Sequence, residues 1–197
     1  MQTLGNSSFS GCSALTAVEF SKTLYSVGES AFASTKIHTL DLSKRRVSFG
    51  YYALNTSTLT TLILGSTPAN FYNNNNYLFN SYHNISSIYV DNIETWLKTS
   101  FNTRNDSAAQ PIKTFTKIYV NNNELTDLVV PENITSIPNF CFYNYRFLNT
   151  VTTNNVTTIG SYAFSGSSVK SVFTSKKLTT INDYAFWACS SLINFDF

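Results

Sequence analysis

The side chains able to do chemistry are few and scattered. Cys12, Cys141 and Cys189 are the only thiols. None has a Cys-x-x-Cys partner, so the spacing of a zinc site is missing. A disulfide framework shows a denser, even-numbered set. Small thiols inside a core fit this sparse pattern better. His38 and His83 are the only imidazoles, and no Cys or carboxylate joins either in a ligand pattern. Serine and threonine hydroxyls occur throughout, yet no motif sets one beside a base and an orienting group. Glu19, Asp41 and Asp196 share one outward strand phase of the repeat described below. Glu19 and Asp41 would be neighbours across one strand gap. Paired carboxylates can act as acid and base, but these belong to a flat exposed sheet without a cleft. No closed loop of oxygens offers a calcium site either. The expectation is no catalytic residue, no metal and no cofactor.

Composition narrows the class further. The chain has 197 residues, enough for one good-sized domain, and 43% are hydrophobic. Aromatics are abundant, with 16 Phe and 12 Tyr. Only 12% are charged, about half the usual share. Thirteen basic and 11 acidic residues leave a formal charge of +2. The densest basic group is Lys44-Arg45-Arg46, too short for the stripe that nucleic acid requires. No apolar run is long enough to span a membrane. The opening MQTLGNSSFSG lacks the basic and apolar regions of a secretion signal. Asn-x-Ser/Thr occurs at Asn6, Asn55, Asn84, Asn105, Asn133 and Asn155, which this Asn-, Ser- and Thr-rich composition produces by chance.

What positions these groups is a repeat. Gly28-Glu29-Ser30-Ala31-Phe32 is followed by Ile37, Leu40 and Leu42. Gly50-Tyr51-Tyr52-Ala53-Leu54 is followed by Leu59, Leu62 and Leu64. Gly160-Ser161-Tyr162-Ala163-Phe164 precedes Val169, Val172 and Thr174, and Asn182-Asp183-Tyr184-Ala185-Phe186 precedes Leu192, Phe195 and Phe197. Phe140-Cys141-Phe142 precedes Leu148, Val151 and Thr153. Ala31 to Ala53 is 22 residues, as is Ala163 to Ala185. A period of this size with an LxxLxL triplet signals a leucine-rich solenoid. Leu40-Asp41-Leu42 alternates with period two, a strand with one buried face. Val27 and Phe32 point inward on the returning side, and the small Ala31 allows neighbouring coils to approach. Gly28, Gly50 and Gly160 share one phase, where a tight turn is the natural use. Cys12 and Cys189 also share a phase and read as core fillers.

The middle departs from the rule. Phe79 and the triplet Ile85, Ile88, Val90 close a coil that is too long, with the excess placed at Asn73 to Asn76 as an outward loop. Ile93, Trp96, Leu97 and Phe101 have helical spacing, with Asp91 or Asn92 as cap. The stretch NTRNDSAAQPIK reads as a loop. Lys117 to Val120 reads as a strand and Asn121 to Asn123 as a turn. The chain is therefore expected to be one repeat domain over 1–197. It divides into a first block at 1–90, a helix and strand insert at 91–123, and a second block at 124–197.

These residues resemble the BspA-like, or Treponema pallidum-type, leucine-rich repeats. The motifs Val27-Gly28-Glu29-Ser30-Ala31-Phe32, Ile159-Gly160-Ser161-Tyr162-Ala163-Phe164 and Ile181-Asn182-Asp183-Tyr184-Ala185-Phe186 carry the likeness. Ile88-Tyr89-Val90 with Glu94-Thr95-Trp96 resembles the insert that follows a block. Ile118-Tyr119-Val120-Asn121 with Leu125 to Pro131 resembles the strand pair that opens the next. The departures are the Asn-rich stretch at 73–76 and Cys141 in the Ala place. The expected fold is a right-handed α/β-type leucine-rich repeat superhelix of about 22–23 residues per coil. A parallel sheet would line its concave face, with loops, short strands and short helical turns on the convex face. The resemblance implies a location on the cell surface, a role in adhesion or protein binding, and no catalytic residues.

A binding solenoid offers its inner sheet. The outward residue of each strand is, in order, Glu19, Asp41, Ile63, Tyr89, Tyr119, Val129, Thr152, Phe173 and Asp196. Ile63, Tyr89, Tyr119, Val129 and Phe173 make the middle apolar, where a solvated face would be polar. Tyrosine suits interfaces, although strands also favour aromatics for cross-strand packing. The leading expectation is a protein-binding module for a host matrix or surface protein, with these five residues in contact. A structural spacer and a carbohydrate binder are the alternatives. The bare strand Asn194 to Phe197 leads to the expectation that the natural protein is longer, or that this edge pairs with another chain.

Overall fold

The computed structural model describes residues 1–44, 46–69, 84–100 and 111–197. Arg45, the Asn73 to Asn76 stretch, Phe79, His83, Phe101, Asn105 and most of the loop after it lie outside the described residues.

The triplets build the core as their spacing dictates. Ile37, Leu40 and Leu42 are buried, as are Leu59, Leu62 and Leu64, then Ile85, Ile88 and Val90. Leu125, Leu128 and Val130 follow, then Leu148 and Val151, then Val169 and Val172. Burying one such aliphatic side chain stabilises the fold by roughly 1.5–3 kcal/mol. No coil can bury its own stripe alone, so the stabilisation comes from stacking.

The triplet strands form two sheets. Thr39–Asp41, Thr61–Gly65, Ser87–Val90 and Lys117–Val120 pair in parallel, and Asn123–Glu124 turns back antiparallel on the last of these. Asp127–Val129, Thr150–Thr152, Ser171–Phe173 and Asn194–Asp196 form a second parallel sheet. The hairpin between Val120 and Asn123 is made by Asn121 and Asn122, both left-handed (φ 47° and 63°). Two successive residues with positive φ are what a two-residue type I′ turn demands, and Asn tolerates it.

The other side of each coil corrects the expected architecture. It is not an α/β-type repeat with helical turns on its convex side but a β-rich solenoid. Short strands run there in parallel: Thr3–Leu4, Ser26–Val27 and Ser48–Phe49 in one sheet, and Ser136–Ile137, Thr158–Ile159 and Thr180–Ile181 in another. After Leu4, Val27, Ile137 and Ile159 the chain makes consecutive tight turns, and every second N–H there leaves the coil. Ser30, Phe32 and Ser34 donate to the carbonyls of Tyr51, Ala53 and Asn55 at 2.9–3.0 Å. Phe140, Phe142 and Asn144 donate to Ser161, Ala163 and Ser165; Tyr162, Phe164 and Gly166 donate to Asp183, Ala185 and Trp187. N–H groups committed to the next coil cannot bond four residues back within their own. The turns place one residue before the repeat's small residue in the left-handed region: Ser30, Tyr52, Phe140, Tyr162 and Tyr184.

Gly28 and Gly160 serve a different purpose from the expected tight turn. Neither has positive φ. A Cβ on Gly28 would lie 2.6 Å from Asn6 N, and one on Gly160 would lie 2.5 Å from Asn139 N. Glycine is needed because the preceding coil's backbone passes there.

One α-helix occurs among the described residues, α1 (Ile93–Leu97), following the strand Ser87–Val90. Asn92 caps it, its Oδ1 accepting from Thr95 N at 2.9 Å. Trp96 and Leu97 are buried, and the Trp96 Nε1–H donates to Cys141 O at 3.0 Å.

Candidate functional site

The outward column is read directly from strand register. Asp41, Ile63, Tyr89 and Tyr119 are successive partners in the first sheet. The register shifts between Ile63 and Gly65, so the strand bends just past Ile63. Tyr89 and Tyr119 stack with centroids 4.8 Å apart and planes 12° from parallel. Both are half-buried, as is Ile63. Val129, Thr152, Phe173 and Asp196 are successive partners in the second sheet. Val129 and Phe173 stand out, 61% and 45% exposed.

The five expected contact residues therefore fall in two groups. Ile63, Tyr89 and Tyr119 form one continuous ridge. Val129 and Phe173 lie in another sheet, separated from each other by Thr152. The antiparallel strand Asn123–Glu124 intervenes where the column was expected to continue. Glu19 lies outside the strand ladder and is not a register partner of Asp41.

Two cavities border the hairpin, each of about 310 Å³. The first is lined by Ile63, Tyr89, Val90, Asp91, Asn121 and Asn122. The second is lined by Ile93, Leu125, Leu128 and Val129 on its apolar side, with Glu124 and Asp127 among the polar residues. Ser66 Oγ donates to Asp91 Oδ2 at 2.6 Å. Thr150 Oγ1 donates to Asp127 Oδ1 at 2.6 Å and Thr126 Oγ1 to Oδ2 at 2.9 Å. These two hydroxyls, Thr150 foremost, hold the Asp127 carboxyl below the usual carboxylate range. Lys117 Nζ meets Glu124 Oε2 at 2.7 Å and lies 5.0 Å from the Phe147 ring centroid. Sequence reasoning missed both cavities, because they depend on where the sheet breaks. The run of Asn121 to Asn123 between strand-like segments was the available signal.

The groups examined for chemistry remain apart. Cys141 is fully enclosed, and burial pushes its thiol well above the ordinary value. Cys189 is half-buried and donates to Phe164 O at 3.1 Å. Cys12 is exposed, so it is not the core filler its phase led us to expect. His38 is exposed, with Nδ1 3.1 Å from Thr58 O. Among the described residues no group of three His, Cys, Asp or Glu could hold a metal ion, and no helix is long and apolar enough to cross a membrane.

A family described as the BspA type leucine-rich repeat region matches six copies over residues 1–108 and 112–197. No curated protein matches the chain. A leucine-rich repeat protein from Bacteroides ovatus is similar at 18% identity and a TM-score of 0.50, over 98% of this chain and 57% of that one. A leucine-rich cell surface protein from Faecalibacterium prausnitzii is 18% identical, with a TM-score of 0.37 over 99% of this chain and 42% of that one. A leucine-rich repeat protein from Eubacterium ventriosum is 15% identical, with a TM-score of 0.37 over 100% of this chain and 70% of that one. This chain thus spans less than two thirds of the first two, and the first likeness speaks to fold alone. With six copies covering nearly every residue, the chain belongs to the BspA-type leucine-rich repeat family.

Proposed function

We propose that this chain is a non-enzymatic protein-interaction module that uses the outward face of its triplet sheets. One observation carries the reading: Ile63, Tyr89 and Tyr119 stand in consecutive register, half-buried on the outward side of strands whose neighbouring residues Leu62, Ile88 and Ile118 are enclosed in the core. Aromatic residues with an apolar body and a hydroxyl are enriched where proteins meet. Val129 and Phe173 extend the surface across the hairpin. The natural setting is the cell surface, which rests on what the family resemblance implies, and the partner to test is a host matrix or surface protein.

The test is capture of matrix proteins by the immobilised chain, compared with a glycan array and with light scattering across concentration. Capture of a defined protein that is lost on replacing Tyr89 and Tyr119 supports the proposal. Glycan binding in its place would favour carbohydrate recognition. Concentration-dependent assembly through the Asn194–Asp196 edge, with neither kind of ligand bound, would favour a structural repeat.

A further inference from the structure

Resting on that reading, we propose that the occupant of this face is a basic peptide segment, whose lysine or arginine side chains enter the two cavities beside the Val120 to Asn123 hairpin. The argument starts from charge. The chain as a whole carries +2. The residues lining the two cavities include Asp91 in one and Glu124 and Asp127 in the other, and no Lys or Arg in either. Lys117 already neutralises Glu124. That leaves one carboxylate per cavity, Asp91 and Asp127, neither in a direct ion pair among the described residues, with Lys170 acting on Asp127 only from a distance and as the smallest of the influences on it. Each is oriented by neutral hydroxyls, Ser66 on Asp91 and Thr126 and Thr150 on Asp127. A hydroxyl aims a carboxylate without cancelling its charge.

The walls complete the match. Ile63, Tyr89 and Val90 stand beside Asp91, and Ile93, Leu125 and Val129 beside Asp127. Lysine and arginine pair a long apolar stem with a charged head. An apolar wall takes the stem and a carboxylate at the wall takes the head. An acidic or neutral polar segment would leave the carboxylates opposed or desolvated without a partner. The two cavities share the hairpin, Asn121 and Asn122 in one and Val120 and Asn123 in the other. One extended segment crossing the hairpin can therefore reach both.

The experiment measures binding of the full chain to synthetic peptides of matched length and apolar content that carry lysine and arginine, glutamine, or glutamate. The cationic set is expected to bind best, and its binding to weaken as salt rises. Replacing Asp91 and Asp127 together by Asn keeps an acceptor for Ser66 and for one of the two threonine hydroxyls on Asp127, and is expected to weaken cationic binding roughly tenfold or more. A melting curve confirms that the variant is folded. Asp91→Asn alone, with its single hydroxyl contact, repeats the test if the double variant is not. Equal binding of all three peptide sets, no binding of any, or cationic binding untouched by the Asp variants overturns the inference. If neutral peptides bind and Tyr89→Ser with Tyr119→Ser abolishes it, the interaction module survives and only its preference for basic partners falls.

Discussion

The phenol of Tyr145 donates to the carbonyl oxygen of Leu125 at 2.7 Å, inside the core where the first sheet ends. The Tyr145 hydroxyl oxygen itself accepts from Ile118 N at 3.3 Å, so one hydroxyl joins the last long strand of the first sheet to the start of the next triplet. Leu125 N in turn donates to Ile118 O at 2.8 Å. Tyr145→Phe keeps the ring and leaves two buried backbone groups short of a partner. We expect a loss of about 1–3 kcal/mol in denaturant unfolding. An unchanged midpoint would show that the ring alone holds the joint.

Alkaline pH should destabilise the fold through two buried groups. Burial pushes both the Tyr145 phenol and the Cys141 thiol above their ordinary values. Each is an acid whose pKa is higher folded than unfolded. Its contribution is therefore complete below the unfolded value and is lost as pH rises above it. Stability should fall as pH climbs past the ordinary thiol and then phenol ranges. Cys141→Ala and Tyr145→Phe should each flatten that fall, which melting curves across alkaline pH would read.

Gly160→Ala should destabilise by roughly 2 kcal/mol or more, because its Cβ would press on the Asn139 backbone at 2.5 Å and backbone cannot move aside cheaply. Gly5→Ala is the control, since nothing lies within 4 Å of that position. Similar melting temperatures for both variants would contradict the close coil approach.

Ser165 is fully buried, and its hydroxyl is without a hydrogen-bond partner among the described residues. The coil that contains Phe32 has Ala33 at the same place, one residue after the repeat Phe. Ser165→Ala removes the polar atom and leaves the backbone bonds in place. The expected gain is about 1 kcal/mol, seen as a higher unfolding midpoint. A loss would mean that the hydroxyl has a partner in solution.

The inward side of this molecule was legible because burial obeys period. Every triplet quoted from the sequence up to Val172 enters the core, and so do Val27, Phe32 and Cys141. The returning side was misread because the same apolar spacing fits a helical turn or a turn ladder. What decides is whether Phe32 N bonds within its coil or to Ala53 of the next, and only the assembled stack settles that. Ring stacks such as Phe142–Phe164–Phe186, 5.3 and 5.1 Å apart, follow from the 22-residue period and could have been foreseen. The split of the outward column could not. It follows from Asn121 and Asn122 both turning left-handed, so that Glu124 rather than Val129 faces Tyr119.

Surface residues are usually replaceable at little cost, and Tyr89 and Tyr119 stand on the outward side of their strands. Their stacked geometry changes that expectation. Each single change to Ser removes the ring contact as well as its own packing on the sheet. Once one ring is gone, the second change has no contact left to lose. A double-mutant cycle on unfolding free energy should therefore give a coupling of about 0.5–1.5 kcal/mol. Binding to an identified partner should fall by more than stability does, since a hot-spot pair costs roughly 2 kcal/mol or more, about thirtyfold in affinity. Additive stability effects would show that the rings do not stack in solution. Unchanged affinity with a changed melt would confine the pair to holding adjacent strands together. Loss of affinity while the double variant still melts cooperatively would place the partner on this ridge.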